Sequence, residues 1–436
     1  MSWKITPTGP LKGDILVPGD KSITHRAYLL GALGEGLTLV TDPLRAEDTD
    51  DTLKAVRGLG LEVEEEGNTV KIHGLGPEGL SEPEDLLDMG NSGTGVRLMA
   101  GLMASRPFLT VFTGDSSLRK RPMGRIAKPL RMMGAFIDGR ADGNLLPLVV
   151  RGGNLKGIDY VSPVASAQVK SCVLIAGLGA EGVTRFSEPS VSRDHTERML
   201  KGAGVHIGRE GHWLVLEGGQ IPRGAVVRVP GDISSAAFFL AAAAIVEGSD
   251  VTVKNVGVNP TRIGVLEVLR AMGAVMEISP VSGEVEPAAD IRVRGVGKLK
   301  GIRVPDEWIP SIIDELPLVG VLAACAEGET IISGAGELRV KESDRITSTV
   351  EMLTRAGADV SEERDGFTVK GGFPVRGGPY ASQGDHRIAM SSAVLALAAA
   401  ERSEINDTAC VRTSFPDFPV LLGKLCEGAV RVVGKH

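Results

Sequence analysis

The segment LKAVRGLGLEVEEEGNTVKIHG, residues 53–74, sets the architecture, because variants of it recur along the whole chain. It predicts an amphipathic helix that ends near a glycine, followed by two short strands joined by a turn. The copies lie about 70 to 80 residues apart, so six repeats of one unit make up nearly the whole sequence. The recurring glycines are Gly60, Gly134, Gly204, Gly273, Gly357 and Gly428.

A second pattern lies between these copies: a strand, usually a proline, a short polar turn and a helix. ILVPGDKSITHRA from Ile15 and VRVPGDISSAAFFLAAA from Val227 are examples. Each repeat therefore predicts the order strand, helix, strand, helix, strand, strand, which indicates an α/β protein. Six repeats suggest two lobes of three. We expect the first lobe to span residues 20–225 and the second to combine residues 1–19 with 226–436.

Small polar residues open most of the first helices, as is typical of an N-cap or first turn. Helix N-termini carry free N–H groups and a partial positive charge. Bringing these ends together would create an anion site, although the chain has a formal net charge of -7. The opening residues are Ser22, Ser92, Ser166, Ser234 and Ser391.

Composition excludes several classes of protein. With 42% apolar and 24% charged residues, the chain is typical of a globular protein. Its negative charge argues against non-specific binding to nucleic acid or an anionic membrane. No apolar stretch approaches the ~20 residues that span a bilayer. The four cysteines show no metal-binding spacing, and no secretory signal is visible. We therefore expect reduced thiols and a cytoplasmic location.

Cations and hydrogen-bond donors collect at the strand-to-helix turns. Lys21 and Arg26 flank hydroxyls, Gly93 lies in a glycine-rich turn, and Arg121 follows two other cations. Further donors are Ser166, Gln168 and Arg193. Each pattern also fits an ordinary role: a capped helix, a plain loop, solvated charges or a half-buried amide. Their shared location favours one site for a polyanionic ligand.

Acidic residues supply candidate proton-transfer groups. Asp314 falls in the apolar stretch 308–326, which predicts one helix, and apolar surroundings raise the pKa of a carboxyl group, as suits a general base. The segment RVKESDR, residues 339–345, fits either a site or a surface lattice of ion pairs. Arg387 at a helix start suits an anion, whereas His386 beside it is more often structural.

Together these motifs resemble the 5-enolpyruvylshikimate-3-phosphate synthases over the full chain, and ASAQVKS is similar to the branch called class II. The resemblance implies a two-lobed enolpyruvyl transferase fold of six βαβαββ repeats, three per lobe, each lobe an inside-out α/β barrel. It implies an active site in a cleft between the lobes, which close over the substrates. The matching segments are GDKSITHRA, GNSGTG, LRKRPM, ASAQVKS, SRDHTE, GDISSAAFF, RVKESDR and GDHRIAM.

The resemblance also implies the reaction. The enolpyruvyl group of phosphoenolpyruvate would pass to the 5-hydroxyl of shikimate 3-phosphate, with release of phosphate and no metal or organic cofactor. Asp314 would accept the hydroxyl proton. Glu342 and Lys21 would transfer protons at the methylene carbon and the bridging oxygen.

The substrate-binding residues follow from the same motifs. For shikimate 3-phosphate they are Lys21, Ser22, Arg26, Ser166, Ala167, Gln168, Arg193, Asp314 and Lys341. For phosphoenolpyruvate they are Lys21, Gly93, Arg121, Gln168, Arg345 and Arg387. Ala167 replaces a serine of the other branch, so only its backbone can donate there. The resemblance assigns no role to Arg412 or His386.

Three alternatives stay open at this point. An enolpyruvyl transferase acting on UDP-N-acetylglucosamine shares the fold but usually carries a cysteine, sometimes an aspartate, before an Arg-Pro pair; here only Asp115 is available. A non-catalytic polyanion binder would gain nothing from the carboxylates Asp314 and Glu342. A P-loop kinase is disfavoured because the Walker pattern fails. We expect the protein to be a monomer. The resemblance also implies sensitivity to glyphosate, an inhibitor of this family, because Gly93 stands where an alanine would clash with it.

Overall fold

The computed structural model describes residues 1–7, 9–281, 283, 285–297, 299–426 and 428–433. The chain divides into two compact units. The insert lobe is Gly19–Val229, and the terminal lobe combines Met1–Pro18 with Pro230–His436. The second break follows Val229 and not Ala225, because the strand at 226–228 pairs with the insert lobe.

Strands and helices follow one another in a repeated order. Among the described residues the strands are β1 (Ser2–Ile5), β2 (Lys12–Leu16), β3 (Glu35–Thr41), β4 (Val63–Glu66), β5 (Thr69–Leu75), β6 (Leu87–Asp88), β7 (Leu109–Thr113), β8 (Phe136–Gly139), β9 (Leu145–Arg151), β10 (Leu155–Lys156), β11 (Asp159–Val161), β12 (Ala180–Glu181), β13 (Val183–Ser187), β14 (Ile207–Glu210), β15 (Trp213–Glu217), β16 (Val226–Arg228), β17 (Asp250–Gly257), β18 (Val275–Val281), β19 (Ala288–Arg294), β20 (Gly328–Ile332), β21 (Asp359–Glu363), β22 (Gly366–Gly371), β23 (Pro379–Ala381), β24 (Ser403–Asn406) and β25 (Val430–Val433). The α-helices in the same residues are α1 (Lys21–Leu33), α2 (Glu47–Gly58), α3 (Gly93–Ala104), α4 (Gly124–Met133), α5 (Arg140–Gly143), α6 (Ala167–Leu178), α7 (His195–Gly202), α8 (Ile233–Ile245), α9 (Gly264–Ala271), α10 (Ile309–Ile312), α11 (Leu316–Cys325), α12 (Arg345–Arg355), α13 (His386–Leu397) and α14 (Phe418–Leu425).

The second and third repeats each fold their strands into a mixed sheet. In the second repeat the order is β6-β7-β9-β8, with β6 parallel to β7 and the other neighbours antiparallel. The third repeat has the same arrangement, β11-β13-β15-β14. In these two repeats the predicted order strand, helix, strand, helix, strand, strand is observed, whereas the neighbours in the sheet β20-β22-β21 are all antiparallel.

Three strands pair with strands that lie far from them in the sequence. β2 pairs in parallel with β17 of the terminal lobe, with Ile15 opposite Val253. β16 pairs in parallel with β3 of the insert lobe, with Val227 opposite Val40. β1 lies between β24 and β25 and so completes the sheet of the sixth repeat. In the sequence, the chain enters the insert lobe just after β2 and leaves it just after β16.

The recurring glycines follow the second helix of each repeat. All six have a positive φ, from 74° to 109°, which L side chains rarely adopt. Behind α4, for example, the backbone N–H of Gly134 donates to Arg131 O and that of Ala135 to Leu130 O, both at 3.0 Å. These bonds satisfy carbonyl groups at the helix end. The glycines that recur in the sequence therefore mark the C-terminal ends of the second helices of the repeats.

The first helix of each repeat lies inside its lobe and the sheets lie outside, as in an inside-out α/β barrel. In the insert lobe α1, α3 and α6 are buried over nearly their whole length. In the terminal lobe α8, α11 and α13 take the same place. The sheets bury alternate residues, as Val70 and Ile72 of β5 show.

The apolar stretch 308–326 is not the single helix expected from the sequence. It divides into α10 and α11, and Asp314 lies in the turn between them. Pro317 has no N–H and is tolerated in the first turn of α11, where that group would lack a partner. Among the described residues no single helix has the length and apolarity of a membrane span; the bent pair Asp306–Ile312 and Leu316–Cys325 passes that test by length and composition, with 116° between its halves.

Close packing of α3 on α6 generates a first prediction. A Cβ at Gly101 would lie 2.4 Å from the carbonyl oxygen of Cys172, which belongs to the backbone and cannot swing away. We expect Gly101→Ala to lower the free energy of unfolding by about 1–3 kcal/mol in urea denaturation. Gly208→Ala is the control, because a Cβ there has no atom within 4 Å. Equal stability of the two variants would contradict the packing argument.

Candidate functional site

Three helix N-termini come together in the insert lobe. Asp20 caps α1 by accepting from the backbone N–H of Ile23 at 2.9 Å. Ser92 and Ser166 cap α3 and α6 in the same way. The Ser92 hydroxyl lies 3.4 Å from Nε2 of His25, which links α3 to the first turn of α1. Backbone donors of separate helices therefore point to one region of this lobe.

Gln168 joins the first turns of α6 and α3. Its Nε2 donates to Thr94 Oγ1 at 2.9 Å, and its Oε1 accepts from Arg97. Arg97 also donates to the carbonyl oxygen of Pro122 at 3.0 Å. Arg97 follows the glycine-rich turn directly in the sequence, but it was not among the predicted site residues.

Arg121 is the buried member of the basic run that precedes α4. It is 7% exposed, donates to Asn91 Oδ1 and lies 3.4 Å from Ser117 Oγ. Arg119 and Lys120 are exposed, so the solvated alternative describes them but not Arg121. Gly93 begins α3 beside this guanidinium, where a Cβ would lie 3.1 Å from Arg121 Nη1.

Lys21 and Arg26 differ in accessibility. Lys21 Nζ lies 3.0 Å from Asp48 Oδ2, and its side chain is 19% exposed. Arg26 is 2% exposed, and its three nitrogens donate to Thr196 Oγ1, Ser171 Oγ and Ser22 O at 2.7–2.8 Å. Arg26 thus ties α1 to α6 and α7.

The remaining residues predicted for this lobe lie at the same helix starts. Ser22 is the second residue of α1, Ala167 is the first of α6, and Arg193 precedes α7; all three are half-buried. His25 between them stays neutral, because burial and the charges of Lys21 and Arg26 lower its pKa well below the ordinary value.

Arg345 organises the site residues of the terminal lobe. Its guanidinium donates to Asp314 Oδ1 at 3.2 Å, to Glu342 Oε2 at 2.6 Å and to Asp385 Oδ2 at 2.8 Å. The side chain is 2% exposed. Burial acts to lower the pKa of Arg345, but the three carboxylates raise it overall, so the guanidinium remains charged. Asp314 and Glu342, predicted to transfer protons, are therefore held by one cation.

Asp385 is a residue that the sequence analysis missed. It is fully buried and caps α13 by accepting from the backbone N–H of Arg387 at 2.8 Å. Burial acts to raise the pKa of Asp385, yet the charge of Arg345 leaves it below its usual value. The signal available in the sequence was its place just before a helix, the place Asp20 holds at α1.

Lys341 and Arg345 do not lie on one helix. Residues 341–344 are not helical and α12 begins at Arg345. The two cations meet through Asp314 instead, since Lys341 Nζ lies 3.0 Å from Asp314 Oδ1. Arg339 does belong to a surface lattice, with Asp344 at 2.8 Å and Glu362 at 3.0 Å.

Arg387 contacts the turn that carries Asp314. Its Nη1 donates to the carbonyl oxygen of Asp314 at 3.0 Å and to Glu315 Oε1 at 3.1 Å. Glu315 is 1% exposed and also accepts from Ser234 Oγ of α8. Arg262 donates to the same hydroxyl at 2.7 Å. Glu315 thus fixes the cation predicted for phosphoenolpyruvate, a role that its sequence position alone does not reveal.

One sequence expectation about helix starts was wrong, because Ser391 lies in the middle of α13. Ser22 and Ser234 lie in the first turns of α1 and α8, as expected, and Asp20 and Asp232 cap these two helices. His386 is the buried first residue of α13 and Arg412 an exposed residue of a 3-10 turn; neither gains an assigned role.

Each cluster suits a different chemistry. In the insert lobe, cations and helix N-termini outnumber carboxylates, which favours binding of phosphate or carboxylate groups. In the terminal lobe, carboxylates alternate with cations, which suits proton transfer beside a bound anion. Among the described residues one group could hold a metal ion: Glu62, Glu64 and His73, whose ligand atoms lie within 4.8 Å of one another. None of these is a predicted site residue.

Asp115 stands where the UDP-sugar transferases usually carry their cysteine. One of its carboxylate oxygens accepts from the backbone N–H groups of Ser117 and Leu118 at 2.9 and 2.7 Å. The other accepts from Asn91 Nδ2 at 2.6 Å. The side chain therefore stabilises its own turn.

Comparison with known proteins gives full-length matches. The family model for EPSP synthase (3-phosphoshikimate 1-carboxyvinyltransferase) matches residues 5–422. A 3-phosphoshikimate 1-carboxyvinyltransferase of Pelotomaculum thermopropionicum is 53% identical over 95% of this chain and 96% of that protein, and one of Desulforamulus reducens is 50% identical over 97% and 99%. An EPSP synthase structure from Acinetobacter baumannii has a TM-score of 0.89 at 45% identity, covering 99% of this chain and all of that one.

The buried pair of Asp385 and Arg345 generates a second prediction. We expect Asp385→Asn to lower the free energy of unfolding by about 3 kcal/mol at pH 7, because it removes one partner of a buried ion pair. The pKa of Asp385 lies below its ordinary 3.8 in the folded chain. Its stabilising effect is therefore full above about pH 4 and declines as the pH falls through the folded pKa.

The measurement is urea denaturation of both proteins across this pH range. Glu267→Gln is the matched control, since it breaks an exposed ion pair with Arg270, and its effect should stay within about 0.5 kcal/mol. A difference for Asp385→Asn that widens toward acid pH would contradict the ion-pair account.

Proposed function

This chain belongs to the EPSP synthase family, and we propose that it transfers the enolpyruvyl group of phosphoenolpyruvate to the 5-hydroxyl of shikimate 3-phosphate. Phosphate is released. The reaction is the sixth step of chorismate biosynthesis, which leads to the aromatic amino acids. The site observation that carries the proposal is that Arg345 holds the two carboxylates Asp314 and Glu342 among cations.

The reaction proceeds by addition and elimination. The 5-oxygen of shikimate 3-phosphate loses its proton and bonds to the central carbon of phosphoenolpyruvate, while the methylene carbon gains a proton. The resulting tetrahedral adduct then loses a proton from the former methylene carbon. The carbon–carbon double bond re-forms as the bond between the central carbon and the phosphate oxygen breaks. Such a sequence needs groups that both give and accept protons around one carbon centre.

Asp314 accepts the proton of the 5-hydroxyl. Lys341 and Arg345, at 3.0 and 3.2 Å, favour the charged carboxylate that a base requires. Glu342 transfers the proton at the methylene carbon, and Lys21 protonates the bridging oxygen of the leaving phosphate.

Two sets of donors bind the anions. Lys21, Ser22, Arg193 and the first turn of α6 bind shikimate 3-phosphate, with Asp314 and Lys341 from the terminal lobe. Arg26 belongs to this set, and its burial supports a role in holding α6 and α7 beside the ligand. Several cations are required because both substrates are multiply charged and repel each other.

Phosphoenolpyruvate binds to a second set: Lys21, Gly93, Arg121, Gln168, Arg345 and Arg387. Arginine predominates because its planar fork matches carboxylate and phosphate groups. Gly93 leaves space for the ligand at the start of α3. The arginines of this set are already oriented by protein acceptors, which lowers the entropy lost on binding.

We also propose that the enzyme works in the cytoplasm as a monomer. The four cysteines, all within the described residues, are free, which supports a reducing compartment.

The activity is tested by phosphate release from purified protein given phosphoenolpyruvate and shikimate 3-phosphate, with EDTA present. We expect release with this pair and none when UDP-N-acetylglucosamine replaces the shikimate compound. Asp314→Asn should lower kcat by about 100-fold or more, since it removes a general base.

The matched control for this test is Asp306→Asn, an exposed change near the same turn. Release with the nucleotide sugar alone would refute the proposed substrate. Full activity of Asp314→Asn would refute the proposed base.

Gly93→Ala tests the assignment of phosphoenolpyruvate to Arg121. The added methyl lies 3.1 Å from Arg121 Nη1, so the guanidinium must move by a few tenths of an ångström. We expect the KM for phosphoenolpyruvate to rise about tenfold, with the KM for shikimate 3-phosphate within about twofold of the unmodified chain. A glyphosate inhibition curve should move to higher concentration in the same variant. Unchanged kinetics would mean that Arg121 does not bind this substrate.

A further inference from the structure

Lys170 is a fully buried cation without a place in the proposed reaction. It is the fourth residue of α6 and its side chain is 0% exposed. Its Nζ lies 3.0 Å from Glu188 Oε1, 2.9 Å from Glu197 Oε1 and 3.1 Å from the carbonyl oxygen of Ser192. The contacts with Glu188 and with the Ser192 carbonyl oxygen are hydrogen bonds, whereas the contact with Glu197 is an ion pair.

The contacts of Lys170 converge on the loop that carries Arg193. Glu188 closes this loop, because its two carboxylate oxygens accept from the backbone N–H and the hydroxyl of Ser192 at 2.9 and 2.7 Å. Lys170 then holds the carbonyl oxygen of the peptide that joins Ser192 to Arg193. The backbone position of Arg193 is therefore set from α6.

The next residue of α6 makes a parallel connection. Ser171 Oγ lies 2.7 Å from Thr196 Oγ1 of α7 and accepts from Arg26 at 2.8 Å. Its hydroxyl also donates to Ala167 O at 2.6 Å. The helix turn that presents Ser166, Ala167 and Gln168 is thus joined to both ends of the Arg193 segment.

We propose that Lys170 is a positioning residue for the binding of shikimate 3-phosphate, because it fixes Arg193 relative to the first turn of α6. The inference rests on the proposed function. A buried ion triad stabilises a fold less well than apolar side chains of the same volume. Holding a main-chain carbonyl beside a ligand-binding arginine is a task that an apolar side chain of equal size does not perform.

Lys170→Met tests the proposal, since methionine keeps the length of the side chain and removes its donors. We expect the KM and the Kd for shikimate 3-phosphate to rise at least about tenfold, as misplacement of one ligand contact predicts. The KM for phosphoenolpyruvate and the kcat should stay within about twofold. Steady-state kinetics and calorimetric titration of shikimate 3-phosphate alone give these values.

Two further variants separate positioning from folding. Arg106→Met removes another buried cation of the same lobe, which follows α3 and pairs with Glu78 at 3.1 Å, and should lower thermal stability without changing either KM. Glu188→Gln keeps the shape of the loop and weakens its charged bonds. It should raise the KM for shikimate 3-phosphate less than Lys170→Met does, and it decides the question if Lys170→Met does not fold.

The outcomes distinguish the two proposals. Suppose that the unmodified chain is active. The positioning role alone would then be overturned if Lys170→Met kept its affinity for shikimate 3-phosphate, or if Glu188→Gln did so where only that variant folds. An equal rise of the KM values for both substrates in the variant would also overturn it. Lack of phosphate release by the unmodified chain would overturn the proposed function, and the positioning role with it.

Discussion

The burial of three helices inside each lobe is the constraint on which the rest of the structure depends. Because sheets cover them from outside, α1, α3 and α6 must pack on one another along their length. Their first turns then share hydrogen bonds, as between Gln168 and Thr94. Anion-binding groups come together because the core requires it. Gly101 lies where α3 contacts α6, so it permits the close packing that brings the first turns of these helices together.

The caps of these helices decide what each lobe can do. In the insert lobe two of the three caps are serines, and the cations beside them remain suited to a ligand. In the terminal lobe Asp232 and Asp385 cap two of the interior helices and draw Arg262 and Arg345 to themselves. One architecture thus yields a cluster rich in cations in one lobe and a cluster in which carboxylates alternate with cations in the other.

Local signals in the sequence were sufficient for much of this fold. The glycine period predicted the repeats because a left-handed residue after a helix is a local requirement. Strand-to-helix turns predicted where cations would collect. The pairing of β16 with β3 was beyond such reasoning, since strand partners are chosen by packing between distant repeats. The turn at Asp314, which divides the expected single helix into α10 and α11, was not predicted for a related reason. Apolar composition predicts that a segment is buried, but it does not predict where the chain changes direction.

The site residues divide in the same way. Lys21 and Arg387 could be proposed as site residues from the sequence, because their type and their place at a helix start suffice for such a prediction. Asp385, Glu315 and Lys170 were not, because their roles depend on a partner far along the chain and on complete burial. For these three residues the sequence shows only the residue type, and the structure identifies the partner.

The placement of β1 affects how the protein is made on the ribosome. Ser2 bonds to Glu404, 402 residues away, so β1 is synthesised long before the strand with which it pairs. At about 5 to 20 residues per second the wait is roughly 20 to 80 s. The insert lobe has all its strands once β16 emerges and can fold in the meantime. During synthesis the start of the chain is thus an unpaired strand edge, a target for chaperones or for wrong pairing.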